Sequence, residues 1–194
     1  LGGEANMYWL WRTHWAGHEL VHGAVIDSNA DYGTIQLGQN NMASQDGHLI
    51  VHDGATVTTG WMNLHANSGG KVTIYGGTFI NPVRSYLFHC LGTTSFTADR
   101  YIYGGTFTSK VTSDMNYAFV GRENITLMGG TFNAQIITKE QVPVPVADGY
   151  MITENADGRY SVVKAEAKIG TTTYPTIYDA LAAVPTDGTL TTIT

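Results

Sequence analysis

The sequence predicts an all-β fold built as a repeating solenoid, and two observations carry this prediction. Charged residues make up only 13% of the 194 residues while glycine occurs 23 times, which favours many short strands and turns over helices. A motif of alternating apolar residues followed by Gly-Gly-Thr-Phe recurs along the chain at intervals typical of a solenoid rung. We expect the repeated units to stack and to bury their apolar faces against one another.

The repeated motif occupies three segments, residues 72–79, 101–107 and 125–132, and a degenerate fourth at residues 49–57. Aligning the four units on Gly54, Gly77, Gly105 and Gly130 gives spacings of 23, 28 and 25 residues. Each unit predicts an alternating strand, a glycine corner and a second short strand.

Within each rung, the glycines accept backbone conformations that are closed to other residues, and the phenylalanine points inward. Stacking therefore predicts one phenylalanine column and one aliphatic column, the latter formed by Ile74, Ile102 and Leu127. We predict variable loops at residues 81–100 and 108–122. The residues of the rung motif are Gly76, Gly77, Phe79, Gly104, Gly105, Phe107, Gly129, Gly130 and Phe132.

These Gly-Gly-Thr-Phe rungs resemble those of right-handed parallel β-helices in large, repetitive bacterial surface proteins that are often described as adhesin-like. The resemblance covers roughly residues 15–135 and includes Ala16-Gly17-His18 as the entry to the first coil. It departs from the family pattern at residues 11–15, Trp-Arg-Thr-His-Trp. The resemblance implies a right-handed parallel β-helix (solenoid) with a structural or adhesive role, extracellular and on the bacterial cell surface.

The last third of the chain follows a different pattern. Proline at positions 143 and 145 predicts an extended segment, and Asp157-Gly158 predicts a hairpin between residues 149–152 and 159–163. Thr176 is placed to cap a short helix that closes at Pro185, before a final strand at residues 189–194. The predicted organisation is a parallel β-helix over 1–140, an extended linker and β-hairpin over 141–164, and a small α/β cap segment over 165–194.

In the resembling proteins a segment of this kind caps the β-helix that follows it, whereas here the cap comes last. If the last residues, Ile193-Thr194, are joined to the first, Leu1-Gly2-Gly3, the cap segment comes before the β-helix, as it does in the resembling proteins. We therefore expect either an excised piece of a tandem protein or a subunit whose cap docks on the next copy, giving a filament. Glycans or proteins of host or microbial surfaces are the other expected partners.

The predicted assembly interface joins large apolar side chains from both ends of the chain. Clustered aromatic residues in the first coil suit a buried junction, although the alternative that they cover their own coil stays open. The interface residues are Tyr8, Trp9, Trp11, Trp15, Ile177, Leu181, Leu190 and Ile193.

A zinc site is a further hypothesis, because residues 18–22 spell His-Glu-Leu-Val-His. On a helix, His18 and His22 would lie one turn apart and could share a zinc ion. The residues that follow have strand and turn composition, and a strand from Glu19 to Ile26 would separate the two histidines by about 13 Å. We therefore predict no metal or cofactor.

A carbohydrate-active enzyme of the polysaccharide lyase or hydrolase type is the main alternative, since such enzymes share the β-helix architecture. It would need clustered carboxylates on one sheet to bind Ca²⁺ or to supply an acid and a base. The available carboxylates fall mostly in turns, where aspartate is favoured for backbone reasons, so we predict no catalytic activity. They are Asp27, Asp31, Asp46, Asp53, Asp99 and Asp114.

Charge and hydropathy exclude two classes of partner. The net charge is −6 and the 10 basic residues are scattered singly, so the sequence offers no surface for nucleic acid. No apolar run approaches the roughly 18 residues of a membrane span. Cys90 is the one cysteine, and its apolar neighbours predict a buried, inert thiol.

Overall fold

Three β-sheets wind around a common core to form a parallel β-solenoid with a small helix and a hairpin near the C-terminus. The structure is a computed structural model, and it describes residues 11–13, 17–20, 23–28, 35–37, 47–66, 70–90, 99–120 and 124–194. Within the described chain no helix has the length and apolar character needed to cross a bilayer. The all-β prediction is confirmed. The right-handed winding of the coil stays a prediction that rests on the sequence resemblance.

Successive coils of the solenoid each add one strand to sheet 1 and one strand to sheet 2. Sheet 1 consists of β1 (Trp11–Thr13), β4 (Ile35–Leu37), β7 (Leu64–Ala66) and β10 (Phe88–Cys90). Sheet 2 consists of β2 (Gly17–Leu20), β5 (His48–Val51), β8 (Lys71–Ile74), β11 (Arg100–Ile102) and β13 (Thr126–Leu127). All neighbours in these two sheets are parallel.

Sheet 3 is the longest, because a hairpin extends it beyond the last coil. Its parallel strands are β3 (Val25–Ser28), β6 (Thr56–Thr59), β9 (Thr78–Asn81), β12 (Thr106–Ser109) and β14 (Thr131–Phe132). The hairpin consists of β15 (Tyr150–Glu154) and β16 (Tyr160–Lys164). β16 pairs antiparallel with both β14 and β15, so the predicted hairpin is confirmed and forms part of the solenoid's own sheet.

The inward residues stack in register from coil to coil. Phe79, Phe107 and Phe132 are fully buried, and their ring centroids lie 5.1 Å and 4.4 Å apart along the column. On sheet 2, Ile74 pairs with Ile102 and Ile102 with Leu127. Both predicted columns are therefore confirmed, and each buried side chain contributes about 1.5–3 kcal/mol of hydrophobic stabilisation.

The corner between sheets 2 and 3 depends on glycine. Gly77, Gly105 and Gly130 have φ values of +96°, +114° and +105°, which L side chains rarely adopt. A Cβ on Gly130 would lie only 2.8 Å from Cε2 of Phe107, so the corner also needs the missing side chain in order to stack. The predicted role of the paired glycines is confirmed.

The first coil differs from the prediction of a continuous strand from Glu19 to Ile26. β2 ends at Leu20, and the chain turns at Gly23 (φ +80°) before β3 begins at Val25. The Gly23 N–H donates to the Gly54 carbonyl at 3.1 Å, so Gly23 is the corner glycine of one more coil. The prediction was wrong because it aligned the first coil on Gly17 and overlooked Gly23-Ala24 as the counterpart of Gly54-Ala55.

The strands of sheet 1 were also missed, since two strands per rung were predicted where the structure has three. The segment 81–100, predicted as a loop, contains β10, and the segment 108–122 contains Phe119, which bridges in parallel to Phe88 and Thr138. Phe88 reaches the phenylalanine column, with its ring 5.4 Å from that of Phe107. Cys90 in β10 is fully buried, as predicted.

A buried asparagine shapes the turn between β9 and β10. The Asn81 amide nitrogen donates to the Trp61 carbonyl at 2.7 Å and to the Tyr86 carbonyl at 2.9 Å. Its side-chain oxygen accepts from the Val83 and Arg84 N–H groups at 3.1 Å and 2.9 Å. One side chain thus pairs with three backbone groups of this turn and with one backbone carbonyl of the preceding coil.

The chain after the last coil covers the C-terminal end of the core. Val144, in the proline-containing segment, and Val162, on β16, are both buried in the same core cluster. The chain then forms β17 (Ala167–Ile169), β18 (Thr172–Tyr174) and α1 (Ile177–Ala182), with Thr176 as the helix N-cap as predicted. Thr194 pairs with Lys168 through two backbone hydrogen bonds, which places the end of the chain beside β17.

Candidate assembly surfaces at the ends of the solenoid

The C-terminal segment presents an apolar surface to solvent. We call Ile177, Tyr178, Leu181 and Leu190 the cap surface. Tyr178 is 79% exposed, Leu190 is fully exposed, and Ile177 and Leu181 are each about half exposed. Ile177, Tyr178 and Leu181 lie within about one turn of the same short helix, and exposed apolar side chains grouped in this way are typical of surfaces that bind another molecule.

The described part of the chain covers little of this surface. α1 is only six residues long, and Ala180 is its one buried residue. Ile193 is half-buried and forms an antiparallel bridge with Ile169, so it stabilises the segment itself rather than lying on the cap surface. Of the four interface residues predicted in this segment, three are therefore exposed and one is largely used internally.

At the N-terminal end, the structure describes the edge of sheet 3. Val25 on β3 is 69% exposed, whereas Ala24 and Ile26 are half-buried and pack against the end of the core. Trp11 lies on β1, the edge strand of sheet 1. Tyr8, Trp9 and Trp15 lie outside the described residues, so the predicted aromatic cluster stays a prediction.

The zinc hypothesis required a helix around His18. His18 instead lies on strand β2, where it is paired in register with Leu49, so the helical spacing of a zinc peptidase does not form there. His22 lies outside the described residues. In the part of the chain that the structure describes, no three His, Cys, Asp or Glu side chains come together as a metal site.

The carboxylates considered for an enzyme are distributed over different parts of the fold. Asp27 lies on β3, Asp53 in the corner after β5, Asp99 immediately before β11, and Asp114 in the turn at residues 112–115. Asp31 and Asp46 lie outside the described residues. The described aspartates therefore supply no acid and base pair on one sheet.

Two stacked histidines on the outer side of sheet 1 were not singled out from the sequence. His65 and His89 are paired in register on β7 and β10, with ring centroids 4.8 Å apart. Burial lowers the pKa of His65 to about 4, and the charges of His89 and Arg100 act in the same direction. Burial also lowers the pKa of His89, while Glu140 opposes that change.

A strip of stacked aromatic rings runs along the outside of the glycine corner. The His52 and Tyr75 rings lie 5.4 Å apart, and the Tyr75 and Tyr103 rings 5.3 Å apart. The sequence signal for this strip is the ring-bearing residue that comes before Asp53-Gly54, Gly76-Gly77 and Gly104-Gly105. Since the rings cover one another's faces, they mainly present their edges and hydroxyl groups to solvent.

No family model, curated protein or solved structure matches this chain. The parallel solenoid is shown by the structure, whereas the resemblance to adhesin-like surface proteins stays a prediction.

Proposed function

We propose that this chain is a structural module that associates end to end, either as a subunit of a fibre or as one repeat of a long extracellular protein. The cap surface is the observation that carries the proposal, because Tyr178 and Leu190 are largely exposed and Leu181 is half exposed in the described chain. A non-catalytic role agrees with the dispersed carboxylates. Location on a bacterial surface, and adhesion to glycans or proteins there, rest on the sequence resemblance alone.

End-to-end contact follows from the different character of the two ends. The C-terminal end is closed by its own valines and hairpin and carries the cap surface, whereas the N-terminal end leaves Ala24, Ile26 and Val25 at its border. Contact between unlike surfaces leaves one free surface of each kind at the ends of the assembly, so repeated contacts give a linear assembly wherever the rotation between copies does not close a ring.

The size of the cap surface limits how strong this contact can be. Burying Ile177, Leu181 and Leu190 would contribute about 1–3 kcal/mol each. Association costs about 4–15 kcal/mol in lost translational and rotational freedom. The cap surface alone therefore gives only a weak contact, and a stable fibre needs a second one.

Sedimentation velocity of the purified chain over a range of concentrations tests this proposal. We expect the wild-type chain to associate with increasing concentration, and the double variant Leu181→Glu/Leu190→Glu to associate much less because it places charge on the cap surface. Val111→Glu is the matched control, since it removes another exposed apolar side chain far along the sequence from the cap. A strictly monomeric chain that is unaffected by deleting residues 165–194 would contradict the proposal.

A further inference from the structure

We propose that sheet 3 continues from one copy of the chain into the next, through parallel pairing of β15 with β3 of the following copy, with Met151 opposite Val25. This inference rests on the proposed end-to-end association and identifies its second contact.

Among the described residues, both strands lie at an end of sheet 3 and are paired on one side only. In the described chain β3 pairs with β6 alone, and β15 pairs with β16 alone. Residues 25–28 and 151–154 make no other backbone hydrogen bond among the described residues. These edges carry N–H and C=O groups able to accept another strand, and they lie at opposite ends of the same sheet.

The direction of β15 allows the same kind of pairing that holds the solenoid together. β16 runs antiparallel to β14, and β15 runs antiparallel to β16. β15 therefore runs in the direction of β14 and of every earlier strand of the sheet, including β3. A β3 strand placed beside β15 would continue the parallel ladder without reversing it.

The alternation of side chains selects one register. Ile152 lies opposite the buried Val162 and packs against the core, as Ile26 does at the other end. Pairing Ile152 with Ile26 joins the two cores and places Met151 beside the exposed Val25. A shift of one residue would place the core-facing Ile152 beside a residue of the outer face, and a shift of two residues would set either Met151 beside Asp27 or Glu154 beside the core-facing Ile26.

The cap surface lies at the same end as this free edge. β18 packs near β15, and α1 packs on β17 and β18. A copy that adds its β3 to β15 would therefore also meet the cap segment, which supplies the two contacts that a stable fibre needs.

Disulfide trapping in the full chain tests the strand register. The double variant Val25→Cys/Met151→Cys places one new thiol at each end, and neighbouring strands lie about 4.8 Å apart, within the Cα separation of roughly 4.4–6.8 Å that a disulfide spans. Cys90 is fully buried and does not compete. The matched control, Val25→Cys/Ile152→Cys, has its thiols on opposite faces of the sheet.

We expect the Val25→Cys/Met151→Cys chain, treated with oxidised glutathione, to give a ladder of dimers, trimers and longer species on non-reducing gels. The control variant and the wild-type chain should give almost none, and circular dichroism checks that all three are folded. Light scattering of the same samples separates the two proposals. Association without a ladder, or equal ladders in both variants, would overturn the strand pairing alone, and a strict monomer would overturn the end-to-end association as well.

Discussion

Acidification should destabilise the folded chain through His65. The side chain is only 7% exposed, and its surroundings lower its pKa to about 4, whereas an unfolded chain has a histidine pKa of about 6.5. As the pH falls below 6.5, the unfolded chain therefore binds a proton before the folded chain does. The stabilising effect of the neutral ring is complete above pH 6.5, is lost as the pH falls towards about 4, and changes no further below that value.

The size of this effect follows from the two pKa values. The complete difference between about 4 and 6.5 corresponds to about 3 kcal/mol of unfolding free energy. Between about pH 7.5 and about pH 5, His65 alone should account for a loss of about 2 kcal/mol. His89 adds to this loss, because its pKa is lowered as well.

Urea unfolding of the wild-type chain and of His65→Gln at these two pH values measures the effect. We expect the variant to lose about 2 kcal/mol less than the wild-type chain on acidification. The comparison at the higher pH, where both side chains are neutral, reports the packing cost of the substitution separately. An equal loss in both proteins would refute the assignment of a buried neutral histidine at position 65.

Four further substitutions test the core and its turns by urea unfolding. Phe107→Ala should cost about 3–5 kcal/mol, because it empties the centre of the phenylalanine column; a cost below that of an exposed substitution would contradict the stacking. Gly130→Ala should cost about 2–5 kcal/mol through its positive φ and its approach to the Phe107 ring. Gly158→Ala, with φ +77° and no atom within 4 Å, should cost only about 1 kcal/mol, and equal costs would show that stacking does not matter. Asn81→Asp keeps the shape but loses two donors and buries a charge, so we expect about 3 kcal/mol or more, and a smaller loss would argue against the four hydrogen bonds.

The rungs were predictable because their constraints are local. A glycine with positive φ and a phenylalanine two residues later recur in three coils, as Gly77 and Phe79, Gly105 and Phe107, and Gly130 and Phe132, and this pattern predicts both the corner and the buried column. Gly23 carries that pattern only in degenerate form, since Ala24-Val25-Ile26 replaces Gly-Thr-Phe. The first coil was therefore misaligned even though Gly23 has a positive φ like the corner glycines of the later coils.

The strands of sheet 1 could not be found in this way. β7 and β10 are three residues long, and no glycine or proline pattern repeats around them. They become strands because the solenoid places each beside its counterpart in the next coil. The hydrogen-bond partners of such a strand lie a whole coil away in sequence, so the signal is tertiary rather than local.

The candidate assembly surfaces could be predicted only in part, because they too depend on tertiary structure. The apolar residues of the short helix could be read as a helix face, but their exposure depends on what packs against them. The free edges of β3 and β15 depend on the order of strands in a sheet, which no spacing in the sequence expresses. The sequence therefore predicts an exposed apolar surface at one end of the chain. It does not predict which strands would pair between two copies.

The stacked glycine corner also decides where the chain can accept extra sequence. The corners at residues 75–77, 103–105 and 128–130 have three residues each and the corner at residues 52–55 has four, so the corner length varies by one residue at most among these coils. The connections from sheet 3 to sheet 1 have no such limit, since residues 60–63, 82–87 and 110–118 join the same two sheets with different lengths. An epitope tag or a recognition loop therefore belongs at residues 110–118, where the module can diversify its surface and keep the same contacts with its neighbours.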